Sequence, residues 1–129
     1  MAEQFDPSTP IYFQLAERIN RSIIRQEIKS GDKLPSVREM AIQSGVNPNT
    51  VQRTYRELER MGIVETRRGQ GTFVTENETA LQHLRETLKE KYISSFVRDM
   101  KEMGYTNREI LSGLNDYFEA DTTDGGNKQ

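Results

Sequence analysis

One stretch near the middle of the chain leaves few folds open. Residues 34–74 read LPSVREMAIQSGVNPNTVQRTYRELERMGIVETRRGQGTFV. Ser36-Val37-Arg38-Glu39 is a capping box, S-x-x-E, which opens a helix at Ser36. Val37, Met40 and Ala41 give that helix an apolar side, and Gly45 keeps it short. Asn47-Pro48 opens a further helix, a polar cap followed by proline at the first helical position. This helix runs to about Met61 and stops at Gly62. Two short helices joined by a Gly-containing turn have the pattern of a helix-turn-helix.

The second of these helices has two unlike faces. At ~100° per residue, Asn49, Gln52, Arg53, Arg56 and Arg60 fall within an arc of about 100°, and Val51, Tyr55 and Leu58 fall opposite. Glu57 and Glu59 lie on the flanks. A helix that is apolar on one side can sit on a small core, while amides and guanidinium groups on the other side can pair with base edges. The competing reading is a solvated charged face. The amides among the arginines and the absence of lysine on this face argue against it.

Ile63–Thr66 and Thr72–Val74 are β-leaning runs, and Arg67-Arg68-Gly69-Gln70-Gly71 between them reads as the loop of a hairpin. Arginines beside Gly-Gln-Gly suit a wing tip. Glycine lets backbone approach a groove closely, and arginine is favoured in a narrow minor groove. Charges that merely discourage edge pairing are the plainer alternative. Arg38, in the first turn of its helix, is placed for a phosphate contact that orients without reading sequence. An ion pair with Glu39 or Glu59 is the structural alternative.

Residues 1–8 read as an arm. Thr9-Pro10 reads as the start of a first helix, with Ile11, Leu15, Ile19, Ile23, Ile24 and Ile28 at helical spacing and Gly31 as its C′ glycine. After a polar junction at 75–79, a long helix from about Glu78 to Met103 carries Leu81, Leu84, Leu88, Tyr92, Phe96, Met100 and Met103. Gly104 breaks it. Thr106-Asn107-Arg108-Glu109 is a second capping box, opening a short last helix with Ile110, Leu111, Leu114, Tyr117 and Phe118. Residues 119–129 have the composition of a disordered tail. The fold expected is mostly α (α+β): a winged helix-turn-helix over 9–76, then a two-helix dimerisation region over 77–118.

Only 33% of the 129 residues are hydrophobic, and small cores of this kind often need a partner chain. The apolar stripe of the last two helices is too broad for them to bury alone. A second copy is the simplest cover, with Leu84, Leu88, Tyr92, Phe96, Met100, Leu111, Leu114 and Phe118 as its dimerisation residues. The net charge of −2 hides an uneven layout: residues 1–75 carry a small positive balance and residues 76–129 an acidic one, so a basic surface can still face a polyanion.

Cysteine is absent, which excludes disulfides and thiolate metal sites, and His83 as the single histidine disfavours zinc. No phosphate loop or nucleophile motif of the known enzyme types occurs, so an enzyme is not expected. The polar start is unlike a signal peptide and no apolar run approaches membrane-spanning length. A cytoplasmic location is the default, without a membrane partner.

The stretch from Leu34 to Val74, with the preceding PIYFQLAERINRSIIRQEIKSGDKLPS, resembles the DNA-binding domain of GntR-family bacterial repressors over about residues 9–76. The two helices that follow are similar to those of the YtrA-like subfamily. The resemblance implies a homodimeric repressor on a near-palindromic operator, of its own operon and, by a lean, of a transporter operon. It implies DNA contacts at Arg38, at the start of the third helix (Asn47, Asn49, Thr50, Gln52, Arg53, with Arg56 on the same face) and at the wing (Arg67, Arg68, Gly69, Gln70, Gly71). Many relatives carry arginine where Gln52 stands, and some carry one at Pro48, which leaves base preference open. The chain is too short for the aminotransferase-like domains of other branches, so no cofactor such as pyridoxal phosphate is expected. An unidentified small-molecule effector, acting by changing the spacing of the two heads, is compatible with this reading. The alternative is a winged helix used only as a protein-interaction module.

Overall fold

The computed structural model describes residues 5–123, which divide into two compact units, 5–86 and 87–123. The first holds α1 (Ile11–Ile24), α2 (Val37–Ser44), α3 (Pro48–Arg60), β1 (Val64–Arg67) and β2 (Gly71–Val74). The long helix α4 (Glu78–Glu102) begins in the first unit and continues into the second, and α5 (Asn107–Thr123) follows.

In the first unit α1 and α2 both pack on α3, which also meets β1. Leu15, Ile19 and Ile23 of α1 are buried, as are Met40 of α2 and Val51, Thr54, Tyr55 and Leu58 of α3. Leu34, Ile63, Val64 and Val74 complete this core from the loops and the hairpin. Strands β1 and β2 pair antiparallel, with Val64 opposite Val74 and Arg67 opposite Gly71. Because pairing continues to Arg67 and Gly71, the connecting loop is Arg68-Gly69-Gln70, shorter than the five residues expected. The Gln70 amide donates to Arg67 O at 2.8 Å, and Gly69 supplies the positive φ of 75° that this turn requires.

Two features of α1 differ from expectation. It begins at Ile11, with Pro10 as a cap that makes no side-chain bond. Thr9 does not cap it; its carbonyl accepts from Gln14 Nε2 at 2.8 Å. Gln14 also bonds both the amide and the carbonyl of Asp6, so this part of the expected arm is fastened to α1. The helix then ends at Ile24 and not near Gly31. Gln26 turns left-handed at φ 64°, and the amides of Glu27 and Ile28 both donate to Ser22 O.

The segment after this turn is held from far along the chain. Gly31 N donates to Val74 O, Leu34 N to Thr72 O and Val74 N to Asp32 O, and Lys33 forms a bridge with Phe73. Residues 31–34 thus run along β2, joined to it by an isolated bridge outside the two-stranded sheet. Backbone groups bonded there are not free to continue a helix.

The caps of α2 and α3 stand as expected. Glu39 N donates to Ser36 Oγ at 3.1 Å and Ser36 N to Glu39 Oε1 at 2.9 Å, while Gly45 closes α2 at φ 68°. Asn47 Oδ1 accepts from Asn49 N at 2.7 Å to open α3.

In the second unit the Thr106–Glu109 box opens α5, with both reciprocal bonds present. Helix α5 runs to Thr123, so residues 119–123, expected in the tail, are helical. Thr122 Oγ1 donates to Phe118 O, and residues 119–123 contain neither glycine nor proline. The remainder of the expected tail, 124–129, lies outside the described residues. Ile110 is buried, whereas Tyr92, Ile93, Phe96, Met103, Leu111, Tyr117 and Phe118 are exposed. Leu84, counted in the dimerisation stripe, belongs to the first unit and is only 5% exposed. Its own chain has covered it, so it offers no surface to a second copy.

Candidate nucleic-acid interface

The two faces of α3 separate as its sequence demands. Val51, Thr54 and Leu58 are fully buried. Asn49, Gln52, Arg53, Arg56 and Arg60 are all exposed, and Thr50 is half-buried beside them. Two ties hold this orientation. Tyr55 OH donates to Pro35 O at 2.7 Å, linking α3 to the turn before α2. Thr54 Oγ1, 2.9 Å from Thr50 O and 3.2 Å from Tyr12 O, shares its one proton between these two carbonyls and so links α3 to α1. Burial, reinforced by the Glu39 charge, pushes the Tyr55 hydroxyl well above its usual pKa, so it remains a donor across the neutral range.

The arginines are not equivalent. Arg60 is bonded to Glu57 through both Nε and Nη2. That bond, more than the Arg60 charge, holds the Glu57 carboxyl below its usual pKa and keeps it ionised. Arg60 is therefore neutralised within α3. Arg53 lies over the Tyr12 ring, 4.0 Å from its centroid. Arg56 has no ion-pair partner among the described residues, and neither has Arg38 at the start of α2. The carboxylates nearest in sequence pattern to pair with Arg38 are engaged elsewhere: Glu39 in its capping box, Glu59 as acceptor from Thr66 N and Oγ1.

The wing divides its two arginines. Arg67 is drawn back along the sheet, 4.1 Å from the Phe73 centroid and 3.7 Å from Glu65. Arg68 stands at the tip with Gly69 and Gln70, exposed and without an ion-pair partner among the described residues. A Cβ at Gly69 would meet nothing within 4 Å, so this glycine leaves open space where the backbone can approach a ligand closely. Gly71 is different, being half-buried. Arg38, the α3 face and the wing tip all belong to the first unit. Asn47 contributes there as a cap, its Oδ1 already bonded.

This helix-turn-helix with a wing matches known proteins. Residues 11–74 match the family described as bacterial regulatory proteins, gntR family. The chain is 53% identical over 119 residues to the uncharacterized HTH-type transcriptional regulator YhcF of Bacillus subtilis, covering 92% of this chain and 98% of that protein. It belongs to the GntR family. The HTH-type transcriptional repressor YtrA of the same organism is 44% identical over 99 residues, covering 74% of this chain and 76% of YtrA. A GntR-family transcriptional regulator from Listeria monocytogenes superposes with a TM-score of 0.82 at 36% identity, over 87% of this chain and 98% of that one. The DNA-binding domain of AraR, solved in complex with operator ORX1, superposes at 0.53 with 28% identity, over 58% of this chain and 95% of that one. This GntR protein is a DNA-binding transcriptional regulator and not an enzyme. Among the described residues no helix is long and apolar enough to cross a membrane, and no cluster of three His, Asp or Glu could hold a metal ion.

Sequence reasoning missed Tyr12. It is half-buried and lies off the apolar stripe of α1, which was the one available signal. Its ring steadies Arg53 by a cation–π contact, worth ~0.5–1 kcal/mol at exposed sites. A side chain held in place before binding loses less entropy on binding.

Proposed function

We propose that this regulator is a homodimeric repressor that binds a near-palindromic operator, acts on its own operon and works in the cytoplasm. The winged domain over residues 9–76 binds the duplex. The helices over 77–118 join two copies through Leu88, Tyr92, Phe96, Met100, Leu111, Leu114 and Phe118. Helix α3 enters the major groove, with Asn49, Thr50, Gln52, Arg53 and Arg56 as its reading face. Arg38 grips a phosphate, and Arg68, Gly69 and Gln70 reach the flanking minor groove. Half-site centres then lie one helical turn apart, about 34–36 Å, or a multiple of it. An unidentified small molecule would relieve repression.

The observation that carries this reading is the clean division of α3. Its apolar side is sealed, while Gln52 and Arg56 stand outward on its polar side. A module made only for protein contacts needs no such row of amides and guanidinium groups.

Binding of the full chain to the DNA upstream of its own gene, followed by electrophoretic shift and footprinting, tests it. Arg53→Ala is expected to cost about 1–3 kcal/mol on that DNA and to relax selection at one base pair. Arg38→Ala is expected to weaken binding to all sequences alike and to flatten the salt dependence. Parent-like binding by both variants would show that the wrong face has been assigned.

A further inference from the structure

We propose that Lys33 is a further contact of the wing with the DNA backbone, seated there by the lack of a side chain at Gly71. Lys33 lies outside the helices and the hairpin, and nothing in the sequence marks it. Its bridge to Phe73 sets its place. Side chains alternate across a strand, so Lys33, Phe73 and Gly71 share one face with Glu65 and Arg67 of β1. The other face carries the buried Leu34, Val64 and Val74. Lys33 is thus on the outer surface of the wing, and it is exposed.

The lysine stem crosses Gly71. A Cβ at Gly71 would lie 2.7 Å from Lys33 Cε and 3.5 Å from Nζ, and the φ of 124° there is one that side chains rarely adopt. Gly71 was expected to let backbone into a groove. It makes room instead for a cation, and close approach is left to Gly69.

Arg67 lies on the same face over Phe73, so two cations run along one ledge behind the Arg68 tip. The acid on this face, Glu65, is 3.7 Å from Arg67. Lys33 has no carboxylate partner among the described residues. A compact ammonium on such a ledge suits a phosphate oxygen of the strand beside the groove that the tip enters.

The proposal rests on the DNA-binding reading of the wing, and salt dependence separates the two. The affinity of the full-length parent for a short random-sequence duplex is measured across a salt series, together with Lys33→Gln, Lys33→Arg, Gly71→Ala and the Lys33→Gln/Gly71→Ala double variant. Loss of one phosphate contact reduces the log–log slope by about 0.9. Lys33→Gln is expected to show that reduction, and Lys33→Arg to restore the parent slope. Gly71→Ala should match Lys33→Gln, with no further loss in the double variant. A parent-like slope for Lys33→Gln overturns the proposal, and additive losses overturn the seating by Gly71. A parent without salt dependence would instead overturn the DNA-binding reading and this proposal with it. Lys33→Gln alters an exposed side chain and leaves the backbone bridge to Phe73 in place, so its slope decides the matter even if Gly71→Ala folds poorly.

Discussion

In the first unit, Leu34, Val51, Leu58 and Val74 are sealed from solvent, and the polar groups of α3 point away from them. In the second, Leu111, Tyr117 and Phe118 are each more than half exposed, although they lie in a helix as well formed as α3. Helix formation is therefore not what separates the two units. Helix α3 has α1, α2 and β1 to receive its apolar side, whereas α5 carries a comparable apolar stripe with only Ile110 buried. Exposed apolar surface stabilises nothing until something covers it, at ~25 cal/mol per Å² buried. The contrast is that α3 is covered within its own unit, while α5 keeps apolar surface that the proposed second copy would cover.

Three substitutions probe this contrast, from the largest effect to the smallest. Leu58→Ala empties a fully buried site beneath the polar face of α3 and is expected to cost about 2–5 kcal/mol in urea denaturation. Loss below 1 kcal/mol would show a core looser than described. Phe96→Ala acts on a surface that a second copy is proposed to cover. It is expected to weaken self-association by about 2 kcal/mol, roughly thirtyfold in Kd by sedimentation, as truncated interface aromatics do. Unchanged association would place the joining surface elsewhere. Tyr55→Phe removes the bond to Pro35 O and is expected to cost about 1 kcal/mol at neutral pH.

Tyr55 also sets an alkaline signature. Its pKa is raised in the folded chain above the ordinary value of 10.0. The folded state therefore holds this proton more tightly than the unfolded state. The contribution is fully present below about pH 10 and is lost as pH climbs above it. Parent stability should fall in that range, and Tyr55→Phe should lack this part of the fall.

The same contrast separates what could be read in the residues from what could not. Both capping boxes, the Asn47-Pro48 start and the Gly45 stop are local signals, each complete within four or five residues, and the structure reproduces each of them. The end of α1 was not legible. The apolar spacing continues to Ile28, but Gln26 turns left-handed, a conformation rare outside glycine, and Gly31, expected as the stop, is bonded instead to Val74, some forty positions away. The arginine face of α3 was visible as a pattern. Its inequalities were not, because Arg60 bonding Glu57 and Arg53 lying on Tyr12 depend on where neighbouring side chains end up. Leu84 shows the same limit: helical spacing placed it in a stripe without telling which chain covers it.

The strip that pairs with β2 at Lys33 reaches the first turn of α2, and Arg38, only five residues later. The turn before that helix is itself gripped by the Tyr55 hydroxyl. As the proposed contacts with one duplex, the wing and Arg38 would then act as two jaws of one gauge. A duplex whose groove is too wide or too narrow is mismatched at both jaws together, so DNA width would be tested even where no base is touched.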